Sequence, residues 1–282
     1  LPTALKVLDA SSLQQVVVGK LGDMLPLAKR LALKVLGRKQ ITAIPERPDV
    51  TRWSDILKAN DPAPVTIDPD RDLALLQYTG GTTGTPKGAM LTHANLAANA
   101  LQVDAIDPFE GRDVILGVLP MFHVFANTCV LNRTVAKGGC IALLPRFDAG
   151  QALKAINRVK PTALPGVPTM FQALLDHPNF TKTDFSSLKI CISGGAPLPA
   201  PLRDKFEAVS GARLVEGYGL TESAGVVSTN PYVGTRKPGT IGQVLPQTRV
   251  RLRDKEDAGQ PASLGEPGEL VIRGPQIMQG YC

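Results

Sequence analysis

From position 72 onward, apolar runs of strand length alternate with segments whose apolar residues recur at helical spacing. "LALLQY", "DVILGVLP", "CIALLP", "TALPGV", "LKICIS" and "RLVEGY" are short, rich in β-branched residues or leucine, and closed by glycine or proline. Such continuous apolar runs predict strands buried on both faces. Between them, "HANLAANALQ", the stretch 127–135, "AGQALKAINRV", "TMFQALLD" and "APLRDKFEAV" predict helices. Thr92 and Asp148 stand where N-caps belong, and Pro168 stands at the first helical position of its segment. Alternating strands and helices of this length predict an α/β fold with a parallel sheet covered on both faces.

Past about position 231 the helical period stops. "TRVRLRD" and "GELVIRG" read as strands around the turn-rich "KEDAGQPASLGEP", so a small antiparallel portion is expected at the C-terminal end. Upstream, residues 40–70 carry Pro45, Pro48, Pro62, Pro64 and Pro69 and read as a connection with one short helix at 53–58. The expected organisation is therefore 1–70, an N-terminal stretch; 71–230, an α/β portion; and 231–282, a β-rich portion.

The chain has 282 residues, 43% hydrophobic and 20% charged, a globular balance. Its formal charge of +6 comes mostly from the first fifty positions. There, Arg30, Lys34 and Arg38 form one stripe of a predicted helix while Leu27, Leu31 and Val35 form another. The plain reading is a solvated basic face. The sharper one is a helix drawn to an acidic membrane surface, a peripheral contact at the inner face of the cell membrane. No aromatic residues interleave with these charges, so no nucleic-acid partner is expected. Cys129, Cys140, Cys191 and Cys282 are too scattered for a zinc knuckle or a disulfide framework, and the cytoplasm suits them.

One stretch demands chemistry. "YTGGTTGTPKGAMLTH" follows a predicted strand and precedes a predicted helix. Glycines let backbone N–H groups approach an anion, threonines add hydroxyl donors, and Lys87 adds charge. A helix N-terminus just beyond would add its dipole. Spacing excludes the familiar alternatives. A Walker A loop fails because Pro86 and Gly88 replace its second glycine and its Ser/Thr. A dinucleotide fingerprint fails here at Thr79, and in "GYGLTE" at Glu222. A hydrolase elbow fails around Ser193, where Cys191 takes the place of glycine.

The loop does resemble, almost residue for residue, the phosphate loop of the adenylate-forming superfamily, which includes acyl-CoA synthetases, luciferases and peptide-synthetase adenylation domains. "LPMFHV", "SGGAPL", "EGYGLTES" and "GELVIRGPQIMQGY" resemble its further motifs, in order, over about 210 residues. The wording of "LLQYTGGTTG", "KGAMLTHANLAAN" and "STNP" is most similar to bacterial long-chain fatty acid–CoA ligases.

That resemblance implies part of an acetyl-CoA synthetase-like fold and a two-step reaction. A fatty acid carboxylate attacks the α-phosphate of ATP to give acyl-AMP and pyrophosphate, and the thiol of coenzyme A, the co-substrate, then displaces AMP. It implies that Thr79, Gly80, Gly81, Thr82, Thr83, Gly84 and Lys87 wrap the β- and γ-phosphates. Glu222 would hold Mg²⁺ (the plain alternative is a helix cap), and Thr221 would contact the α-phosphate. Glu216, Gly217, Tyr218 and Gly219 would border the adenine, faced by Gly195 and Ala196. His123 would position the acyl carboxylate and not act as a base, because an ionised acid needs none. Val167, Pro168 and Thr169 would lie along the acyl tunnel.

Ligases for other carboxylates, acyl-AMP ligases and a non-catalytic nucleotide-binding module are the alternatives. A homodimer is compatible with the family. The family's ribose-binding aspartate, hinge and small lysine-bearing domain are not in the sequence, and Cys282 replaces the tryptophan after "GY". A truncated core with little or no ligase turnover is the expectation.

Overall fold

A computed structural model describes residues 1–36, 42–58, 62–79 and 86–282. They cluster into two compact units, Leu1–Thr66 and Ile67–Cys282. In the first unit, α1 (Pro2–Ala10) leads to β1 (Val16–Val18), followed by α2 (Leu27–Leu36), β2 (Val50–Arg52) and α3 (Trp53–Ile56). β1 and β2 pair in parallel, a pairing that the proline-rich sequence around it hides. Arg30 of α2 pairs with Asp23 at 3.1 Å, while Leu27 and Leu31 are exposed. Arg38, the end of the predicted basic stripe, lies outside the described residues. Among the described residues no helix is long and apolar enough to cross a membrane.

The second unit opens with a hairpin of β3 (Leu73–Thr79) and β4 (Lys87–Thr92), followed by α4 (His93–Ala105). Thr92 caps α4 as predicted: its hydroxyl accepts from the Asn95 N–H, and the Asn95 side chain accepts from the Thr92 N–H. Next come β5 (Val114–Gly117), α5 (Val124–Ala126), a π-helical stretch (Asn127–Asn132) and α6 (Arg133–Ala136). The single helix predicted at 127–135 is thus longer and carries a π-helical centre, a form that local periodicity does not announce.

Then β6 (Cys140–Leu143), α7 (Ala149–Val159), β7 (Ala163–Gly166), α8 (Pro168–Leu175), β8 (Ile190–Ser193), α9 (Ala200–Ser210) and β9 (Arg213–Tyr218) alternate as predicted. Asp148 caps α7 by accepting from the Gln151 N–H at 2.8 Å.

With β10 (Ser228–Thr229) and β11 (Gln243–Val244), the main sheet runs β11-β10-β9-β8-β7-β5-β6, with the strands from β9 to β6 parallel. Neighbouring residues of each strand face opposite layers. Leu116, Leu164, Cys191 and Leu214 pack with Ala152, Ile156, Phe171 and Phe206 from α7, α8 and α9. Ile115, Ala163, Ile190, Ile192 and Val215 pack on the other side with Ala126 and Val130. Two-faced burial is why these strands read as unbroken apolar runs.

Beyond position 227 the sheet continues through β10 and β11, both antiparallel. The predicted antiparallel portion is the pair β12 (Arg249–Arg253) and β13 (Glu269–Arg273). Finally, β14 (Gly280–Tyr281) adds to the free edge of β4.

Candidate active site

The glycine loop joins two antiparallel strands. Thr79 pairs with Lys87, so residues 80–85 connect the ends of a hairpin; Gly80, Gly81, Thr82, Thr83 and Gly84 lie outside the described residues. This corrects the strand–loop–helix expectation. At the other end of the hairpin Thr92, the cap of α4, pairs with Leu73. Lys87 and Thr92 are five residues apart along an extended strand, about 17 Å at about 3.4 Å per residue. A helix dipole acts over its first turn, so the N-terminus of α4 is too far away to act at Lys87.

The parallel strands supply a second set of groups. The chain leaves β5 to one side, for β6, and later returns to the other side, for β7. Such a reversal opens a crevice at the carboxyl ends of the strands, the usual ligand position in doubly wound sheets. A cavity of 320 Å³ lies at these ends, and Thr79, His123, Gly195, Gly217, Tyr218, Gly219, Thr221 and Glu222 all line it. A larger cavity, 670 Å³, sits in the N-terminal unit between Val16–Lys20 and Ile44 and carries none of the predicted site residues.

The turn after β9 holds Thr221 and Glu222 in a single 3₁₀ turn (Thr221–Ser223). The Ser223 hydroxyl accepts from the Leu220 N–H at 3.1 Å, closing the turn. Ala224 then takes a left-handed conformation, φ 55°, and Gly225 follows at φ 136°. A non-glycine residue in that region costs on the order of 1 kcal/mol, so the turn needs external restraint. Thr128 of the π-helical stretch donates to the Ala224 carbonyl at 2.5 Å. Asn99 of α4 donates to the Val226 carbonyl at 2.7 Å and accepts from its N–H at 2.9 Å. Gly219 is needed for contact: a Cβ there would lie 1.6 Å from the Gly225 oxygen. None of these anchors was singled out from the sequence. Asn99 is fully buried, and a buried carboxamide must find partners, but that burial is not legible in "HANLAANAL".

His123 stands at the N-cap of α5, where its Nδ1 accepts from the Phe125 N–H at 3.2 Å. With Nδ1 used as acceptor, the neutral ring carries its proton on Nε2 and offers a donor. Its lining position suits holding an oxygen of a carboxylate or phosphate.

Glu222 is joined to the hairpin by a residue that sequence reasoning left without a role. The Tyr281 hydroxyl donates to Glu222 Oε1 at 2.6 Å, and the Met278 N–H donates to the Glu222 carbonyl at 2.9 Å. That bond to a carboxylate raises the Tyr281 phenol above its ordinary range. The Lys87 ammonium sits 5.6 Å from the centroid of the same ring. Among the described residues no group of three or more His, Cys, Asp or Glu could hold a metal ion. A magnesium ion commonly takes one or two carboxylates together with substrate phosphates and water. Glu222, in a pocket-lining turn with no second hydrogen bond to its carboxylate among the described residues, fits that mode.

Lys87, Val167, Pro168, Thr169, Ala196 and Glu216 are not among the residues that line this cavity. Glu216, on β9, lines a separate small cavity with Arg203, Asn230 and Arg236. Gly195 has φ 78°, and a Cβ on it would lie 3.7 Å from Val167, so the "SGGAP" turn and the start of α8 adjoin. Ala196 is exposed beside that turn. Pro168 is buried at the first turn of α8, and Thr169 is exposed.

The family model for AMP-binding enzymes matches residues 4–282. The long-chain-fatty-acid–CoA ligase of Bacillus subtilis (strain 168) is 41% identical over 287 residues, covering 99% of this chain and 51% of the relative. A feruloyl-CoA synthase of Amycolatopsis sp is also 41% identical, over 219 residues, 77% of this chain and 43% of the relative. Among solved structures, ATP-bound MatB from Rhodopseudomonas palustris superposes with a TM-score of 0.74 at 31% identity, covering 95% of this chain and 52% of that one. The chain spans about half the length of the relatives it matches. With that match across nearly its whole length and the α/β architecture described above, the chain belongs to the family of AMP-binding enzymes, the adenylate-forming ligases.

Proposed function

We propose that this chain is the nucleotide- and acyl-binding part of a long-chain fatty acid–CoA ligase. The observation that most supports the substrate is its 41% identity, over 287 residues, to the Bacillus ligase. In this reading ATP lies across the carboxyl ends of β8 and β9. Adenine is bordered by Gly195 and Ala196 on one side and Glu216, Gly217, Tyr218 and Gly219 on the other. The glycine hairpin, with Thr79 and Lys87, carries the β- and γ-phosphates.

The fatty acid carboxylate oxygen attacks the α-phosphorus. That bond forms as the bond to the bridging oxygen breaks, and the electron pair leaves with pyrophosphate. Charge at the reacting phosphorus is met by preorganised donors, which dominate catalysis of this kind. Thr221 offers its hydroxyl to the α-phosphate, and His123 offers Nε2–H to the carboxylate end. The acyl chain runs past Val167, Pro168 and Thr169. Glu222 would hold Mg²⁺, which supplies charge neutralisation on the phosphates. The coenzyme A thiolate then attacks the acyl carbonyl, and AMP leaves with the mixed-anhydride electron pair. A cytoplasmic location, peripheral membrane contact and a homodimer belong to the same reading.

A second reading, a ligase for an aromatic carboxylate, is favoured by the equal identity to the feruloyl-CoA synthase. Calorimetric titration of the 282-residue chain with sulfamoyl mimics of palmitoyl-AMP and feruloyl-AMP separates the two. Tighter binding of the palmitoyl mimic is expected. Preference for the feruloyl mimic would overturn the long-chain assignment, and binding of neither would overturn the adenylation reading.

A further inference from the structure

We propose that Tyr281 is a positioning residue of the nucleotide site, holding the Glu222 carboxylate by its hydroxyl and the Lys87 ammonium by its ring. The inference rests on the adenylation reading above and deepens it. Those two charges have separate duties there, one toward a metal ion and one toward phosphate. They are contributed by segments 135 positions apart, and nothing in either segment's local structure fixes their spacing.

The register of β14 does fix it. Tyr281 lies opposite Ala89, and Gly280 opposite Met90, on the free edge of β4, the strand that begins with Lys87. Backbone bonds from Gln279 N–H to the Met90 carbonyl (3.0 Å) and from Cys282 N–H to the Gly88 carbonyl (2.9 Å) clamp the strand on both sides of Tyr281. From this fixed base the phenol reaches Glu222 Oε1 at 2.6 Å, a charge-assisted bond that orients the carboxylate. The face of the ring receives the Lys87 ammonium at 5.6 Å, within the range of a cation–π contact.

Opposite charges at a shared site are prone to neutralise each other. Among the described residues no ion pair joins Lys87 to Glu222. The ring gives each charge its own partner. Among the described residues the Lys87 ammonium donates no hydrogen bond and the second Glu222 oxygen accepts none, so both can turn outward.

The hydroxyl and the ring can be removed separately. Titration of the full chain with ATP and with AMP, across a range of Mg²⁺ concentrations, is the readout, because AMP lacks the phosphates that Lys87 and the metal ion would serve. Tyr281→Phe keeps the ring and removes the hydroxyl. Loss of a hydrogen bond to a charged group predicts about a tenfold weaker affinity for ATP with Mg²⁺ and a higher Mg²⁺ requirement. AMP affinity and the thermal midpoint stay unchanged.

In a Glu222→Gln background the same substitution has no further effect on the Mg²⁺ requirement. Tyr281→Leu weakens ATP binding further, because the seat of Lys87 is lost as well. Equal losses for ATP and AMP would mark a purely structural role, and an unaltered Mg²⁺ requirement in Tyr281→Phe would remove Glu222 as its target. Either result overturns the proposal. A parent chain that binds neither nucleotide overturns the adenylation reading itself, a result distinct from both.

Discussion

Replacing Asn99 by alanine should uncouple α4 from the turn that carries Thr221 and Glu222. The carboxamide is fully buried, 0% exposed, and bonds both the N–H and the carbonyl of Val226, itself 3% exposed. Alanine leaves those two backbone groups without partners and out of reach of water. An unpaired buried polar group costs about 1–3 kcal/mol, so the pair amounts to about 2–6 kcal/mol. Asn99→Asp is the informative companion, since it keeps the volume and the acceptor for the Val226 N–H. Its carboxylate cannot donate, and it would face the Val226 carbonyl and the Gln102 Oε1 that Asn99 now binds at 3.1 Å.

Urea unfolding followed by circular dichroism reads the change. With an m-value of about 3 kcal/mol/M for a large domain, the midpoint should fall by about 1 M in both variants. AMP affinity should fall with it, because Val226 sits only four positions beyond Glu222. The reasoning fails if aspartate is tolerated while alanine is not, since volume and not donation would then be the cause. It fails equally if both variants stay within 1 kcal/mol of the parent.

Gly219→Ala puts a methyl group 1.6 Å from the Gly225 oxygen, so AMP binding measured by calorimetry should be abolished while the CD spectrum of the sheet persists. Thiol titration with Ellman's reagent should show Cys140 and Cys282, both exposed, reacting at once. Burial pushes the Cys129 thiol up to about 12 and raises the Cys191 thiol well above its ordinary value, so these two should react only on denaturation. Burial alone would raise the Glu207 carboxyl, but the Arg236 guanidinium at 2.6 Å and the Leu214 N–H outweigh it and hold it below its usual value of 4.5. A depressed folded-state value stabilises above about pH 4.5 and is lost as pH falls through it. Arg236→Met should therefore cost about 2 kcal/mol at pH 7, for a pair between surface and core. It should also flatten the acid limb of a stability–pH profile between pH 5 and 3.

Legibility in the sequence followed how local each cause is. The caps at Thr92 and Asp148 depend on residues three positions away, and both were readable. The alternation from β5 to β9 was readable because strands buried on two faces must be apolar throughout. The hairpin was not. "KGAMLT" has no strict alternation, and its order beside "HANL" suited a loop running straight into a helix. The strand exists because β3 on one edge and β14 on the other supply its backbone partners, and that pairing register is a tertiary property. For the same reason Asn99 and Thr128 passed unnoticed: their partners lie 127 and 96 positions away.

The sequence by itself determined the α/β alternation, the family and most residues that line the cavity, because each rests on residue type at short spacing. The tertiary structure decided how those residues are held. It paired the strands on either side of the glycine loop as a hairpin, with Lys87 beyond the reach of the α4 dipole. It anchored a left-handed turn by two distant side chains, and it laid a C-terminal tyrosine between Lys87 and Glu222. Contacts across such separations follow from which backbones pair and which polar groups are left to satisfy once a core has formed, and no local pattern encodes that.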